Sequence, residues 1–137
     1  MRLELTRRGD YAVRAMLALS APQVDPWLSA MRISTAMSIP ERFLPRVLRD
    51  LARAGLVEAR TGRTGGYRLA RPAATITLLD VIAAVEPEDD ARRCILRGIP
   101  CHPDGRCAVH DTFDQARTAL QARLDATTIA ELAQPSP

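Results

Sequence analysis

The stretch from Ser29 to Gly55 constrains this chain more than any other. Phe43, Leu44, Val47, Leu48 and Leu51 recur at helical spacing and form one continuous apolar face, while Arg42, Arg46, Arg49 and Arg53 occupy the other. Such a helix can bury one side only, and the side left in water is lined with arginine. Upstream, Ser29 is placed to cap a short helix from Ala30 to about Met37, and Ser38 to Pro40 make a tight turn. A short helix, a tight turn and a second helix with a basic outer face describe a helix-turn-helix. Pro45 limits where the second helix begins, because an interior proline would remove the amide bond to Glu41 at a cost of ~3 kcal/mol. A start nearer Arg42 would place Pro45 in the tolerated first turn. Gly55 suits the position just past the helix end.

The flanking segments extend this unit. Residues 6–20 read as a helix capped by Thr6, with Tyr11, Ala12, Ala15, Met16 and Leu19 on one face. Ala21-Pro22 ends it, and a linker from Gln23 to Leu28 contains Pro26. After the second helix, Leu56 to Arg60 and Tyr67 to Ala70 read as two strands of a hairpin, with Gly65-Gly66 expected to supply positive φ. A hairpin in this position is the wing of a winged helix. Arg60, Arg63, Arg68 and Arg71 surround it with positive charge suited to phosphates or a minor groove; the alternative is an ordinary solvated hairpin. Thr77 is placed to cap a short helix through Leu78, Leu79, Val81, Ile82 and Val85. From about Asp111 a long helix follows, with a stripe of Val109, Phe113, Ala116, Leu120 and Leu124 that needs a covering partner. A second copy of the helix in a homodimer covers it most economically, and folding back on its own domain is the other solution. Thr128 to Ala133 reads as a short terminal turn before a frayed tail. The expected fold is mainly α with a small β-hairpin: a winged helix-turn-helix over 1–75, a linker helix and cysteine loop over 76–110, and a dimerisation helix with its terminal turn over 111–137.

Charge separates these parts. Residues 1–71 carry 13 arginines and 6 acidic residues, a balance of +7, whereas residues 72–137 carry 6 arginines and 10 acidic residues, a balance of −4. All 19 basic residues are arginine, the side chain suited to bidentate contacts with phosphate and guanine. The first half is therefore expected to meet double-stranded DNA, through Arg42, Arg46 and Arg49 on the helix and Arg60, Arg63 and Tyr67 on the wing. A merely solvated basic surface, or a winged-helix module that recruits proteins and never reads DNA, are the competing readings. No apolar run approaches the ~18 residues of a membrane span, and the N-terminus lacks the apolar core of a signal peptide. A cytoplasmic protein without a membrane partner or a small-molecule substrate is expected.

All three cysteines and both histidines fall in one stretch, where Cys94, Cys101, Cys107 and His110 make a C-x6-C-x5-C-x2-H pattern broken by Gly98, Pro100, Pro103 and Gly105. An odd cysteine count in an unexported chain argues for metal or thiol chemistry rather than a disulfide scaffold. Thiolates suit iron–sulfur clusters, zinc and copper(I). Structural zinc sites favour C-x2-4-C knuckles, which this stretch lacks. Regulatory thiols activated by Arg93, Arg97 and Arg106 are a further alternative. Cys107 and His110 could pair as nucleophile and base, but nothing resembling an oxyanion hole accompanies them, so no enzyme is expected.

The order of these parts resembles the IscR and NsrR type of bacterial winged-helix regulator, the Rrf-two family. The resemblance covers almost the whole chain. It rests on Met-Arg-Leu at the start, Asp10-Tyr-Ala-Val, Ile39-Pro-Glu-Arg-Phe-Leu44, Leu51-Ala-Arg-Ala-Gly-Leu-Val57, Thr61-Gly-Arg-Thr-Gly-Gly-Tyr67 and the three-cysteine loop before a long helix. It implies a homodimer that represses or activates genes, with crossed long helices and an iron–sulfur cluster on the three cysteines. His110 matches the IscR branch, where a histidine completes a [2Fe–2S] site. Asp10 sits close to the position that, in the NsrR branch, supplies an aspartate from the other subunit to a [4Fe–4S] cluster. His102 is a weaker third candidate. Two features depart from the pattern: arginines stand at 60 and 63 around Thr61-Gly62, where the family usually has Arg-Gly, and the first cysteine gap is one residue longer than is common.

Overall fold

The computed structural model describes residues 1–23, 25–86, 94, 96 and 107–134. Helix α1 (Arg7–Ser20) starts where the Thr6 hydroxyl accepts a hydrogen bond from the Gly9 amide at 3.1 Å, satisfying one of the orphan donors of the first turn. Ser29 does the same for α2 (Ala30–Met37), accepting from the Arg32 amide at 3.2 Å. Ser38 then takes a left-handed conformation, φ 53°, to make the turn. A single 3-10 turn, Glu41–Phe43, leads into α3 (Leu44–Arg53). Pro45 therefore sits in the first turn of α3, where no intrahelical bond is lost, and the difficulty it posed disappears. Gly55 ends the helix at φ 77°.

The wing is an antiparallel pair, β1 (Val57–Arg60) and β2 (Gly66–Leu69), with Val57 opposite Leu69 and Arg60 opposite Gly66. Gly62 and Gly66 carry the positive φ angles, 98° and 150°, so the expectation that Gly65 shares this role is corrected. Gly65 answers a different demand, because a Cβ there would collide with the Arg60 carbonyl. The linker before α2 adds a bridge to the other edge of β2 that the sequence did not suggest. Leu28 and Tyr67 exchange two backbone hydrogen bonds, each 2.8 Å, which seals the linker onto the outer edge of β2.

A second 3-10 turn, Ala73–Thr75, precedes α4 (Leu78–Val85), where Thr77 and Asp80 form a reciprocal capping box. Helix α5 (His110–Asp125) and helix α6 (Ile129–Ala133) complete the described elements, and Thr128 with Glu131 forms a second capping box.

The core is aliphatic. Met16, Ile33, Ile39, Leu44, Leu48, Leu51, Ile76, Val81 and Ile129 are wholly buried, and α1 lies among α2, α3, α4 and α6. The C-terminal segment is more than the terminal turn expected of it: Ile129 fills the core, its amide donates to the Ile76 carbonyl at 2.9 Å, and Leu78 donates to Thr127 at 2.8 Å. A capped helix is thereby docked against α1. Helix α5 behaves differently. None of its residues is wholly buried, and its half-buried line runs through Phe113, Arg117, Leu120 and Leu124. Ala116, expected on that line, is exposed, because the four-three-four spacing beginning at Phe113 passes through position 117 instead.

Ile129→Ala should remove about 2–5 kcal/mol of stability, since it leaves a cavity in the core where α6 packs on α1 and the second 3-10 turn. Urea unfolding at fixed protein concentration measures this, and a loss below ~1 kcal/mol would show that α6 is peripheral to the core.

Candidate nucleic-acid interface and sensor loop

The apolar side of α3 places Leu44, Val47, Leu48 and Leu51 in the core, which turns Arg46, Arg49 and Arg53 outward into water. Arg42 joins them from the preceding 3-10 turn, with its guanidinium 4.9 Å from the centre of the Phe43 ring. The orientation of this face is fixed from behind. Arg8 on α1 donates to Asp50 on α3 at 2.5 Å, and the Asp50 side chain is only 16% exposed. At the other end of the motif, Arg14 on α1 donates to both carboxylate oxygens of Asp10, at 3.0 and 2.5 Å, and to the Met37 carbonyl at 2.8 Å. Hydrogen bonding and charge from Asp10 push the Arg14 pKa upward, so this arginine stays charged while it holds the last turn of α2. Two arginines of α1 thus clamp the two helices of the helix-turn-helix.

On the wing, Arg63 is exposed at the turn and Arg60 donates to the Thr64 carbonyl. Arg68 pairs with Glu58 directly across the strands at 2.7 Å. Tyr67, expected at the DNA surface, is half-buried against the core. Sequence reasoning also passed over Trp27, whose ring lies 4.3 Å from the Arg60 guanidinium and 4.4 Å from that of Arg68. The available signal was the chain's lone tryptophan beside a linker proline in an aromatic-poor sequence.

Cys94 is buried, Cys107 is half-buried, and Cys101 and His102 fall outside the described residues, as do Arg93, Arg97 and Arg106. His110 is the first residue of α5, and its amide donates to the Cys107 carbonyl at 3.0 Å, which sets the two residues in one turn. Asp10 is not brought into a metal-sized group with them among the described residues. Instead it borders an open groove of about 500 Å³ lined by Glu4, Leu5, Arg7, Asp10 and Tyr11. Glu86, the last described residue before the loop, is a second contact that the sequence did not announce. Its Oε1 accepts from both the amide and the hydroxyl of Thr6, at 3.1 and 2.7 Å, over the positive end of α1. Gly9 makes room for it: a Cβ at that position would lie 2.6 Å from the same oxygen.

A helix-turn-helix with an arginine face, followed by a basic wing, defines a winged-helix protein of the DNA-binding kind. The sequence profile of the Rrf2 family, described as iron-dependent transcriptional regulators, matches residues 5–135. The chain belongs to that family. A putative HTH-type transcriptional regulator of Neisseria meningitidis is 34% identical over 130 residues, covering 95% of this chain and 87% of that protein. The HTH-type transcriptional regulator IscR of Vibrio vulnificus is also 34% identical, covering 95% of this chain and 77% of that one. Among solved structures, CymR, the global cysteine regulator of B. subtilis, superposes with a TM-score of 0.78 at 26% identity, covering 96% of this chain and 97% of the other. The protein is therefore a DNA-binding transcriptional regulator, and its relatives are regulators rather than enzymes. No described helix is long and apolar enough to cross a membrane.

Glu86→Ala should loosen the start of α1 without unfolding the domain. Both donors it releases are exposed, so the global loss should stay below about 1 kcal/mol, while amide exchange from Thr6 to Asp10 accelerates. Unchanged exchange in that turn would show that Glu86 does not anchor it.

Proposed function

We propose that this regulator works as a homodimer, holds an iron–sulfur cluster on Cys94, Cys101 and Cys107, and adjusts its affinity for double-stranded DNA to the state of that site. The observation that carries the reading is the placement of Cys107 and His110 in one hydrogen-bonded turn at the head of α5, in a chain of an iron-dependent regulator family. Soft thiolates with an imidazole beside them are a donor set that fits such a cluster, and burial of Cys94 gives it a low-dielectric wall. The fourth position falls to His110 of the same chain or to Asp10 of the partner subunit, whose open groove faces solvent. When bound, the cluster supplies a centre that reacts with oxidants and nitric oxide and depends on iron supply.

The chain's own residues then carry the response. Glu86 ties the entrance of the cysteine loop to the first turn of α1, and Arg8 ties α1 to Asp50 on α3. A shift of the loop is thus transmitted to the reading helix through a single rigid element. A coupling of about 1–3 kcal/mol between the sites would change operator affinity about 5- to 150-fold. Residues 1–75 act as reader and 76–110 as sensor. Within 111–137, α5 supplies the dimer surface, and α6 secures its end to the reader. Arg46 and Arg49 read the major groove, Arg42 and Arg63 meet phosphates, and Tyr67 supports the wing from within through its bridge to Leu28. A thiol-responsive regulator is the second reading, favoured by the likeness to the cysteine regulator CymR.

Anaerobic reconstitution with iron and sulfide should give a coloured dimer in native mass spectrometry, and either His110→Ala or Asp10→Ala should make the colour labile. A protein that stays colourless, yet loses DNA binding on thiol oxidation, would establish the second reading instead. Arg49→Ala should cost about 1–3 kcal/mol of operator affinity if it reads a base. In a salt titration, a variant that binds as tightly as the parent chain would remove Arg49 from the interface.

A further inference from the structure

The tryptophan at the base of the wing has no place in the scheme above. Because Leu28 and Tyr67 are paired antiparallel, Trp27 falls beside Arg68, and the strand register continues that row to Glu58. Leu28 turns into the core, so Trp27 emerges on the opposite, outer face of the sheet. Arg60 shares that face, since it lies two residues from Glu58 on β1. The two guanidinium carbons therefore converge on one indole, at 4.3 and 4.4 Å from the ring centre. Stacking of this kind uses the flat face of a guanidinium and leaves its N–H edge for other partners. Part of that edge is already engaged: Arg60 donates to Thr64 and Arg68 to Glu58. Each arginine is thus held from two directions, on its face by the ring and on its edge by a neighbour of the hairpin. An exposed arginine otherwise loses about four rotatable bonds' worth of freedom when it docks on a phosphate, and this loss weakens binding.

We propose that Trp27 is a positioning residue for DNA binding, holding Arg60 and Arg68 in place so that the wing meets the phosphate backbone already ordered. The inference rests on the reading of the wing as a DNA contact and adds to it the residue that organises the contact. Trp27 reaches no phosphate itself. It acts through the two arginines, and the linker before α2 becomes part of the wing.

The test uses the full-length dimer and a duplex carrying its operator, with affinity followed across a salt series. Trp27→Leu should weaken binding about 3- to 10-fold and flatten the salt dependence, because fewer phosphates are neutralised by ordered cations. Trp27→Phe should restore most of the affinity, since it keeps an aromatic face; this rescue also answers a folding defect in the leucine variant. Arg60→Gln should weaken binding in the parent chain but add little on top of Trp27→Leu, the signature of two residues acting together. As the chain's sole tryptophan, Trp27 should also change its fluorescence on DNA addition in the unaltered protein. If Arg60→Gln weakens binding while Trp27→Leu does not, the positioning role is overturned and the wing contact stands. If Arg60→Gln and Arg68→Gln both leave binding and salt dependence unchanged, the underlying reading of the wing falls, and this proposal falls with it.

Discussion

Helix α1 is the constraint on which the rest of this molecule depends. It packs among four other helices, and several of its polar side chains hold neighbouring segments. Arg8 reaches α3, Arg14 reaches the end of α2, and Thr6 receives Glu86 from the segment that leads to the cysteines. The Arg8–Asp50 contact is expensive to disturb. The Arg8 Nε is buried without a hydrogen-bond partner, so the ion pair at its tip is what compensates its desolvation. A helix tied at so many points moves as one body or not at all.

Much of this was legible in the sequence, and the reasons are local. Ser29, Ser38, Thr6 and Thr77 mark helix ends because their hydroxyls or backbone conformations satisfy groups only two or three residues away. Those boundaries therefore fell where expected. The two-faced pattern of α3 likewise depends on spacing alone. What escaped is non-local: the Leu28–Tyr67 rung, the grip of Glu86 on Thr6, the docking of Ile129 and the convergence of two arginines on Trp27. Each joins residues whose proximity follows from the packed fold, and no periodicity announces it. Arg117 in place of Ala116 shows a milder version of the same limit. A stripe drawn through apolar letters ignored a long side chain whose methylenes can lie along a half-buried line. The candidate site divided in the same way, with the arginines of α3 visible from spacing and the supports that aim them visible only in three dimensions.

The chain's exclusive use of arginine gains meaning here. Lysine could supply the same charge to a phosphate, but it could not lie flat on Trp27 or Phe43, nor hold both oxygens of Asp10 while reaching the Met37 carbonyl. Arginine serves in this protein as a structural fastener as well as a cation. Its planar head lets one residue bind in two directions.

The glycine in the first turn of α1 has a consequence for how such a chain can change over time. Position 9 is empty of side chain because the Glu86 carboxylate occupies the space in which a Cβ would stand. A lineage that gained alanine at 9 would have to displace or shorten the residue at 86, and one that lost the carboxylate would be released to fill position 9. Two sites far apart in the gene are therefore coupled in one direction: a side chain at 9 obliges the Glu86 carboxylate to move, whereas loss of the carboxylate leaves position 9 open.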